Sequence, residues 1–343
     1  MRECGGLGGY SGIPSYYISV VDGIQQRAGA GVKVVFAKGC RISEPDMAPN
    51  FNTISPYTAP SEDTDEKLMK EALETAKSAD VIVFALGGNE VVSRESIGDV
   101  GMGKPSYGDS DAIELPGRQN RLVHEIAKLG KPMIAVLLNG NAYAIEQLAS
   151  EVPAILEGWY LGQETDNAVA GVLFGDVNPS RHLPVTIARD VGQLPVYYYK
   201  TPAARRGYVS HENAPLFPFG YGLSYTTFSF GKPSLDREQI SANETARVSI
   251  VVTNSGARAG DQVVQMYVHH GVSSVVQLVI ASRGFKRVHL EPGASTTVNF
   301  EVGPDQLSIL DAQMKKSVEP GPVDILLGSN SADTSSVRLT VTE

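Results

Sequence analysis

The strongest constraint on the fold is a pair of uninterrupted apolar runs, Val81-Ile82-Val83-Phe84-Ala85-Leu86 and Met133-Ile134-Ala135-Val136-Leu137-Leu138. A strand with one face in water alternates apolar and polar residues. One that is apolar at every position must be covered on both faces, as in a parallel sheet held between helices. Segments with helical spacing surround these runs. Asp63 with Glu66 offers a capping pair that opens a helix through Lys77, with Leu68, Met69, Ala72, Leu73 and Ala76 on one side. Arg118 to Leu129 reads as a second helix, stopped by Gly130 and Lys131-Pro132; Ala142 to Leu148 is a third, and Thr165 to Leu173 a fourth, closed at Gly175. Val32 to Ala37 and Ala154 to Trp159 are further strands. Strand and helix in alternation predict an α/β sandwich, a mostly parallel sheet with helices on both faces, over residues 1–195.

The character changes at residues 196–226. Leu194-Pro195-Val196-Tyr197-Tyr198-Tyr199 and Pro215 to Gly222 are rich in proline, glycine and aromatics without a helical period. Flexible linkers lack such aromatic content, so this is an ordered, packed connector. Residues 227–343 hold short β-branched segments at Ala246–Thr253, Gln262–His269, Ser295–Val302 and Val323–Leu327. Turn signals at Asn254-Ser255-Gly256, Glu291-Pro292-Gly293 and Glu319-Pro320-Gly321 separate them, predicting an all-β sandwich of immunoglobulin or fibronectin III-like size.

A net charge of −9 with no Lys/Arg block argues against nucleic acid and anionic membrane as partners. The two cysteines, Cys4 and Cys40, make neither a disulfide framework nor a metal cluster, and their pairing stays open. His124, His182, His211, His269, His270 and His289 have no metal-binding spacing, and no phosphate loop or serine-hydrolase elbow is present. No metal and no cofactor is therefore expected. No apolar stretch reaches transmembrane length, and the first residues lack the charged-then-apolar order of an export signal.

The chemistry concentrates just beyond the first apolar run. Residues 89–117 form a 29-residue connection between Gly88 and the helix near Arg118, where strand-to-helix loops usually take about 2–6 residues. It carries Glu90, Glu95, Asp99, Asp109, Asp111 and Glu114 with Asn89, Arg94, Lys104 and Tyr107. Ligands of open α/β sheets bind beyond the carboxyl ends of the strands, and polar groups of both signs there suit a hydroxyl-rich ligand such as a sugar. An acid working on a glycosidic bond needs a partly desolvated carboxyl and a second carboxylate across the bond. Glu95 and Glu90 are the two candidates for the first, Glu90 being closer to the strand end. Trp159, the one tryptophan, reads as a core aromatic at a strand end or as a sugar-stacking ring.

Several longer motifs, in order, resemble the C-terminal half of glycoside hydrolase family 3, the β-glucosidase and β-xylosidase group. These are Gly87-Gly88-Asn89-Glu90 with Ser93-Arg94-Glu95, Gly108-Asp109 and Leu115-Pro116-Gly117-Arg118-Gln119; Glu157 to Glu164; Leu173 to Ser180 with Leu183-Pro184-Val185-Thr186; and Phe217 to Phe228. The last resembles the family's connector to a fibronectin type III-like domain. The resemblance implies a retaining, exo-acting β-glycosidase acting on plant-type oligosaccharides. Its proton donor would be Glu95, ahead of Glu90, and Asn89, Arg94, Tyr107 and Asp109 are candidate substrate-binding residues. The family's nucleophilic aspartate belongs to an N-terminal barrel, in a Ser-Asp-Trp-like motif; here Trp159 follows Gly158, so the nucleophile is expected from a barrel domain or subunit outside this chain. The isolated chain would then be inactive. The alternative is a carbohydrate-binding or interaction module that kept the fold without catalysis. Tyr199-Lys200-Thr201-Pro202 and Arg205-Arg206-Gly207-Tyr208 resemble xylosidase-like members, and the family suggests a periplasmic or secreted location.

Overall fold

The computed structural model describes residues 15, 16, 18–44, 59–89, 92, 93, 110–202 and 207–343. The chain divides into two compact units, the first running to Val177 with Arg189–Gly192, the second comprising Asn178–Ala188 and Gln193–Glu343.

In chain order the first unit holds α1 (Val20–Ala28), α2 (Glu62–Ser78), β1 (Ile82–Gly87), α3 (Gln119–Ala127), β2 (Met133–Leu138), α4 (Glu146–Glu151), β3 (Ala154–Glu157) and α5 (Thr165–Leu173). The three strands pair in parallel in the order β1-β2-β3, with Leu86 opposite Leu137 and Leu137 opposite Glu157. Strand period then decides which side chains share a face. Val83, Val136, Leu138 and Leu156 face a cluster with Val20 and Ile24 of α1 and Val169 and Leu173 of α5. Ile82, Phe84, Leu86, Met133, Ala135 and Leu137, of opposite parity, are buried as well. The sheet is therefore covered on both faces, as its apolar runs require.

Three local readings change. Val32–Ala37 forms no strand, and Val32, Val35 and Phe36 are about half exposed, so the β-branched run finds no ladder partner among the described residues. The first turn of α2 begins at Ser61 rather than Asp63; Glu66 faces Arg118 and Arg121 instead of capping. Helix α4 starts at Glu146, four residues later than Ala142, because Ala144 is held in a parallel bridge with Glu114 and its N–H donates to the Ile113 carbonyl at 2.7 Å.

The second unit is a β-sandwich. Its strands are β4 (Phe228–Phe230), β5 (Ser234–Leu235), β6 (Gln239–Ser241), β7 (Ala246–Asn254), β8 (Gly260–His270), β9 (Ala281–Leu290), β10 (Ser295–Val302), β11 (Ile309–Leu310), β12 (Lys316–Ser317), β13 (Gly321–Gly328) and β14 (Thr334–Thr342). One sheet runs β10-β7-β4, with β5 also on β7; the other runs β6-β14-β13-β8-β9. The alternating positions Val248, Ile250 and Val252 of β7 meet Val264, Ile325, Leu327 and Leu339 of the facing sheet in one core. The turn after β7 is built by Asn254, whose fully buried side chain donates to the Leu290 and Arg258 carbonyls at 2.9 and 2.7 Å and accepts from Gly256 N–H at 3.1 Å. Aromatics of the proline-rich segment pack inside this unit, Tyr198 stacking on Phe219 at 4.3 Å and meeting Tyr267 edge-on at 5.9 Å.

Candidate active site at the carboxyl edge of the sheet

The site is built where β1, β2 and β3 end side by side. At the end of β1 the chain must turn against its neighbour: Gly87 has φ 135°, and a Cβ there would lie 2.0 Å from the Leu138 carbonyl oxygen. Only glycine fits. Gly88 N–H then donates to Leu138 O at 3.0 Å. Asn89 closes the next turn. Its side-chain oxygen accepts from Val92 N–H at 3.2 Å, its carbonyl accepts from Ser93 N–H at 3.1 Å, and its amide donates to the fully buried Ser43 hydroxyl at 3.0 Å.

The far end of the long connection is fixed with equal care. Leu115 is buried, and the side-chain amide of Gln119, 3% exposed, reaches back to β1. It accepts from Gly87 N–H at 2.8 Å and donates to Gly87 O and Pro116 O, each at 2.8 Å. Beneath it, Asp65 of α2 is 1% exposed and lies between two guanidiniums, Arg118 Nε at 3.6 Å and Arg41 Nε at 3.9 Å, while Arg41 N–H donates to it at 3.2 Å. A buried carboxylate persists only with such partners. Ser43, Arg41, Asp65, Arg118 and Gln119 thus hold both feet of the connection to the sheet edge.

Two further groups complete the edge. Ser93 Oγ and Tyr160 Oη share a hydrogen bond of 2.8 Å, and the Tyr160 ring lies over Gly140, where a Cβ would come within 2.7 Å of it. Tyr143, 7% exposed, stands beside them, its phenol pushed up to about 12 chiefly by burial. Glu157, the last residue of β3, accepts from Trp159 N–H at 3.1 Å, and Trp159 adopts the left-handed region at φ 53°. Burial pushes the Glu157 carboxyl up to about 7, against the Trp159 N–H and the Asn139 side chain, which favour the ionised form. Asn139 itself is fully buried and donates to the Asn141 carbonyl at 2.8 Å. The edge therefore carries hydroxyls, amides and a carboxyl pushed up to about 7, spread across the ends of β1, β2 and β3.

Of the residues singled out from sequence, Asn89 is placed as a structural anchor of the turn. Glu95, Glu90, Arg94, Tyr107 and Asp109 lie outside the described residues. Gln119, Tyr160 and Glu157 stand in the sequence only as letters of longer motifs, although Glu157 and Tyr160 at and just past the end of β3, and Gln119 at the first position of α3, occupy the edge where such sheets bind ligands.

Similarity to known proteins agrees with this architecture. Residues 3–225 match the glycosyl hydrolase family 3 C-terminal domain, and residues 262–331 match a fibronectin type III-like domain. A β-xylosidase of Formosa agariphila is 42% identical over 98% of this chain and 43% of its own length; a periplasmic β-glucosidase of Salmonella typhimurium is 33% identical over 96% and 43%. The solved structure of a β-glucosidase from Erythrobacter marinus superimposes with a TM-score of 0.91 at 42% identity, over 98% of this chain and 45% of that one. The chain spans less than half the length of each of these relatives. It belongs to glycoside hydrolase family 3, of which it carries the C-terminal α/β domain followed by the fibronectin type III-like sandwich.

Proposed function

We propose that this chain is the acid/base half of a retaining, exo-acting β-glycosidase, a β-xylosidase or β-glucosidase that removes terminal sugars from plant-type oligosaccharides. Glu95, ahead of Glu90, would protonate the departing glycosidic oxygen and then, as carboxylate, draw the proton from the water that releases the sugar. The nucleophile would come from an N-terminal barrel in the complete enzyme. Double displacement requires the two carboxyl groups about 5 to 5.5 Å apart on opposite sides of the bond, so a donor carried on one domain must be presented to a nucleophile on another. Asn89, Arg94, Tyr107 and Asp109 are the residues of the same connection proposed to meet sugar hydroxyls.

The observation that carries this reading is the anchoring of the connection. A 29-residue connection, 89–117, leaves β1 just past the obligatory Gly87 and returns to the same strand through Gln119, so both of its ends are fixed to the sheet edge. Such a loop on a fixed base is how folds of this kind present chemistry. The names of the relatives support the substrate class: β-xylosidase for the one from Formosa agariphila, periplasmic β-glucosidase for the one from Salmonella typhimurium. The experiment is hydrolysis of nitrophenyl β-xyloside and β-glucoside by the purified chain with and without a barrel domain. Turnover only with the barrel, and its loss in Glu95→Ala, is expected; sugar binding without turnover in both cases would favour a carbohydrate-binding module instead.

A further inference from the structure

We infer that Tyr160 is a positioning residue for the proton donor, acting through its hydrogen bond to Ser93. The inference rests on the reading of Glu95 as the acid/base group and extends it to a residue 67 positions from Ser93 in sequence.

Ser93 stands two positions before Glu95. Its backbone is held from one side only by the Asn89 turn, through Ser93 N–H to Asn89 O at 3.1 Å and Val92 N–H to the same oxygen at 3.2 Å. That turn is anchored on its upstream side by the Asn89 amide on the Ser43 hydroxyl at 3.0 Å, which leaves Ser93 to be fixed by a contact of its own. The Ser93 side chain is restrained across the fold by the 2.8 Å bond to Tyr160, with the Tyr143 phenol beside it. Tyr160 is well placed to impose that restraint. Its ring is seated over Gly140, the second residue after β2, where any side chain would collide with it at 2.7 Å. The segment that carries it is tied to the sheet by Gly158 N–H to Leu137 O at 2.9 Å and by the Glu157 carboxylate holding Trp159 N–H at 3.1 Å. The phenol thus ties Ser93, two positions before the donor in sequence, to β2 and β3. A proton donor shifted by even about 1 Å loses much of its rate advantage, so a tether at this position acts on catalysis without touching substrate.

Tyr160→Phe removes only the hydroxyl and keeps the ring over Gly140; Ser93→Ala removes the partner. In the chain itself, amide exchange at Val92 and Ser93 is expected to quicken by roughly fivefold in Tyr160→Phe, the loss of about one net hydrogen bond. Unchanged exchange overturns the tether. In the enzyme formed with the barrel, kcat/KM for xylobiose, whose leaving group needs a proton, is expected to fall roughly tenfold, while 2,4-dinitrophenyl β-xyloside, whose phenolate leaves without one, stays within about twofold. Ser93→Ala should give the same pattern, and the double variant no more than either alone. An equal fall on both substrates, or none on either, overturns the positioning role. Glu95→Ala supplies the reference: if it fails to show the same leaving-group dependence, the assignment of Glu95 fails while the exchange result still decides the tether.

Discussion

Gln119 and Gly87, 32 positions apart, exchange two hydrogen bonds of 2.8 Å: the glycine N–H donates to the side-chain oxygen, and the side-chain amide donates to the glycine carbonyl. The carboxamide behaves as an added strand residue at the end of β1. It satisfies a peptide group whose ladder ends there, and it fixes where the long acidic connection departs and where it returns.

Replacing Gln119 by Ala leaves buried donors and acceptors at Gly87 and Pro116 without partners, which costs about 2–4 kcal/mol by the usual penalty for such groups. Gln119→Glu should be nearly as damaging, because a carboxylate can only accept, whereas two of the three bonds are donated by the amide. Urea unfolding of the chain measures both. A loss below about 0.5 kcal/mol in either variant would contradict the role.

Glycine is required at Gly87 for two separate reasons and at Gly130 for one. An added Cβ at Gly87 meets a backbone carbonyl at 2.0 Å as well as an unfavourable φ of 135°, whereas Gly130 at φ 66° has open space around it. Gly130→Ala is expected to cost about 1 kcal/mol, the ordinary penalty of the left-handed region. Gly87→Ala should cost more than about 3 kcal/mol or prevent folding, since the carbonyl cannot yield without breaking the sheet. Equal thermal shifts in the two variants would show that the close approach is absent.

Asp166 of α5 is fully buried, and neither carboxyl oxygen has a hydrogen-bond partner among the described residues. Burial first, then the nearby Asp22 and Glu164, push its carboxyl from an ordinary 3.8 up to about 7. Between those values the unfolded chain has released the proton and the native one has kept it, so stability falls as pH rises from about 4 to about 7 and is level above. Asp166→Asn should flatten that slope and add roughly 2–4 kcal/mol at pH 8, with little change at pH 3. Chemical denaturation at a series of pH values tests it; a slope unchanged in the variant would count against a protonated Asp166.

Trp159 is the sole tryptophan, and the Glu157 carboxylate accepts its backbone N–H at 3.1 Å, which places the changing charge close to the indole. Because that carboxyl changes charge at about 7, indole fluorescence is expected to titrate with a midpoint near it. Glu157→Gln should abolish the transition and Asp166→Asn should leave it in place. A transition that survives in Glu157→Gln would assign it to another group.

Much of the fold was legible because apolar period and turn chemistry are local. Met133–Leu138, Thr165–Leu173 and Ser295–Val302 fall where the periodicity places them. Helix α1 was not, since Gly23 interrupts its pattern; the glycine is there because a Cβ would strike the Asp166 backbone at 2.6 Å, a reason that exists only in three dimensions. Val32–Ala37 has the composition of a strand, but a strand also needs a neighbour, and sequence pattern does not supply one. Strands β9 and β14 escaped notice because their outward positions are polar or small and blur the alternation. At the site, the glycines after β1 and the abnormal length of the connection were visible. The partnerships of Gln119 with Gly87, Asp65 with Arg41 and Arg118, and Ser93 with Tyr160 were not, because each joins residues 24 to 67 positions apart.

The division of chemistry between this chain and a barrel is tested most directly by nitrophenyl β-xyloside and β-glucoside turnover with the purified chain, alone and joined to a family 3 barrel. The expected result is no turnover alone, turnover when joined, and loss of that turnover in Glu95→Ala. Robust turnover by the chain alone that disappears in Glu95→Ala would mean that both carboxyl groups of the reaction reside in these 343 residues, and would contradict the proposed division.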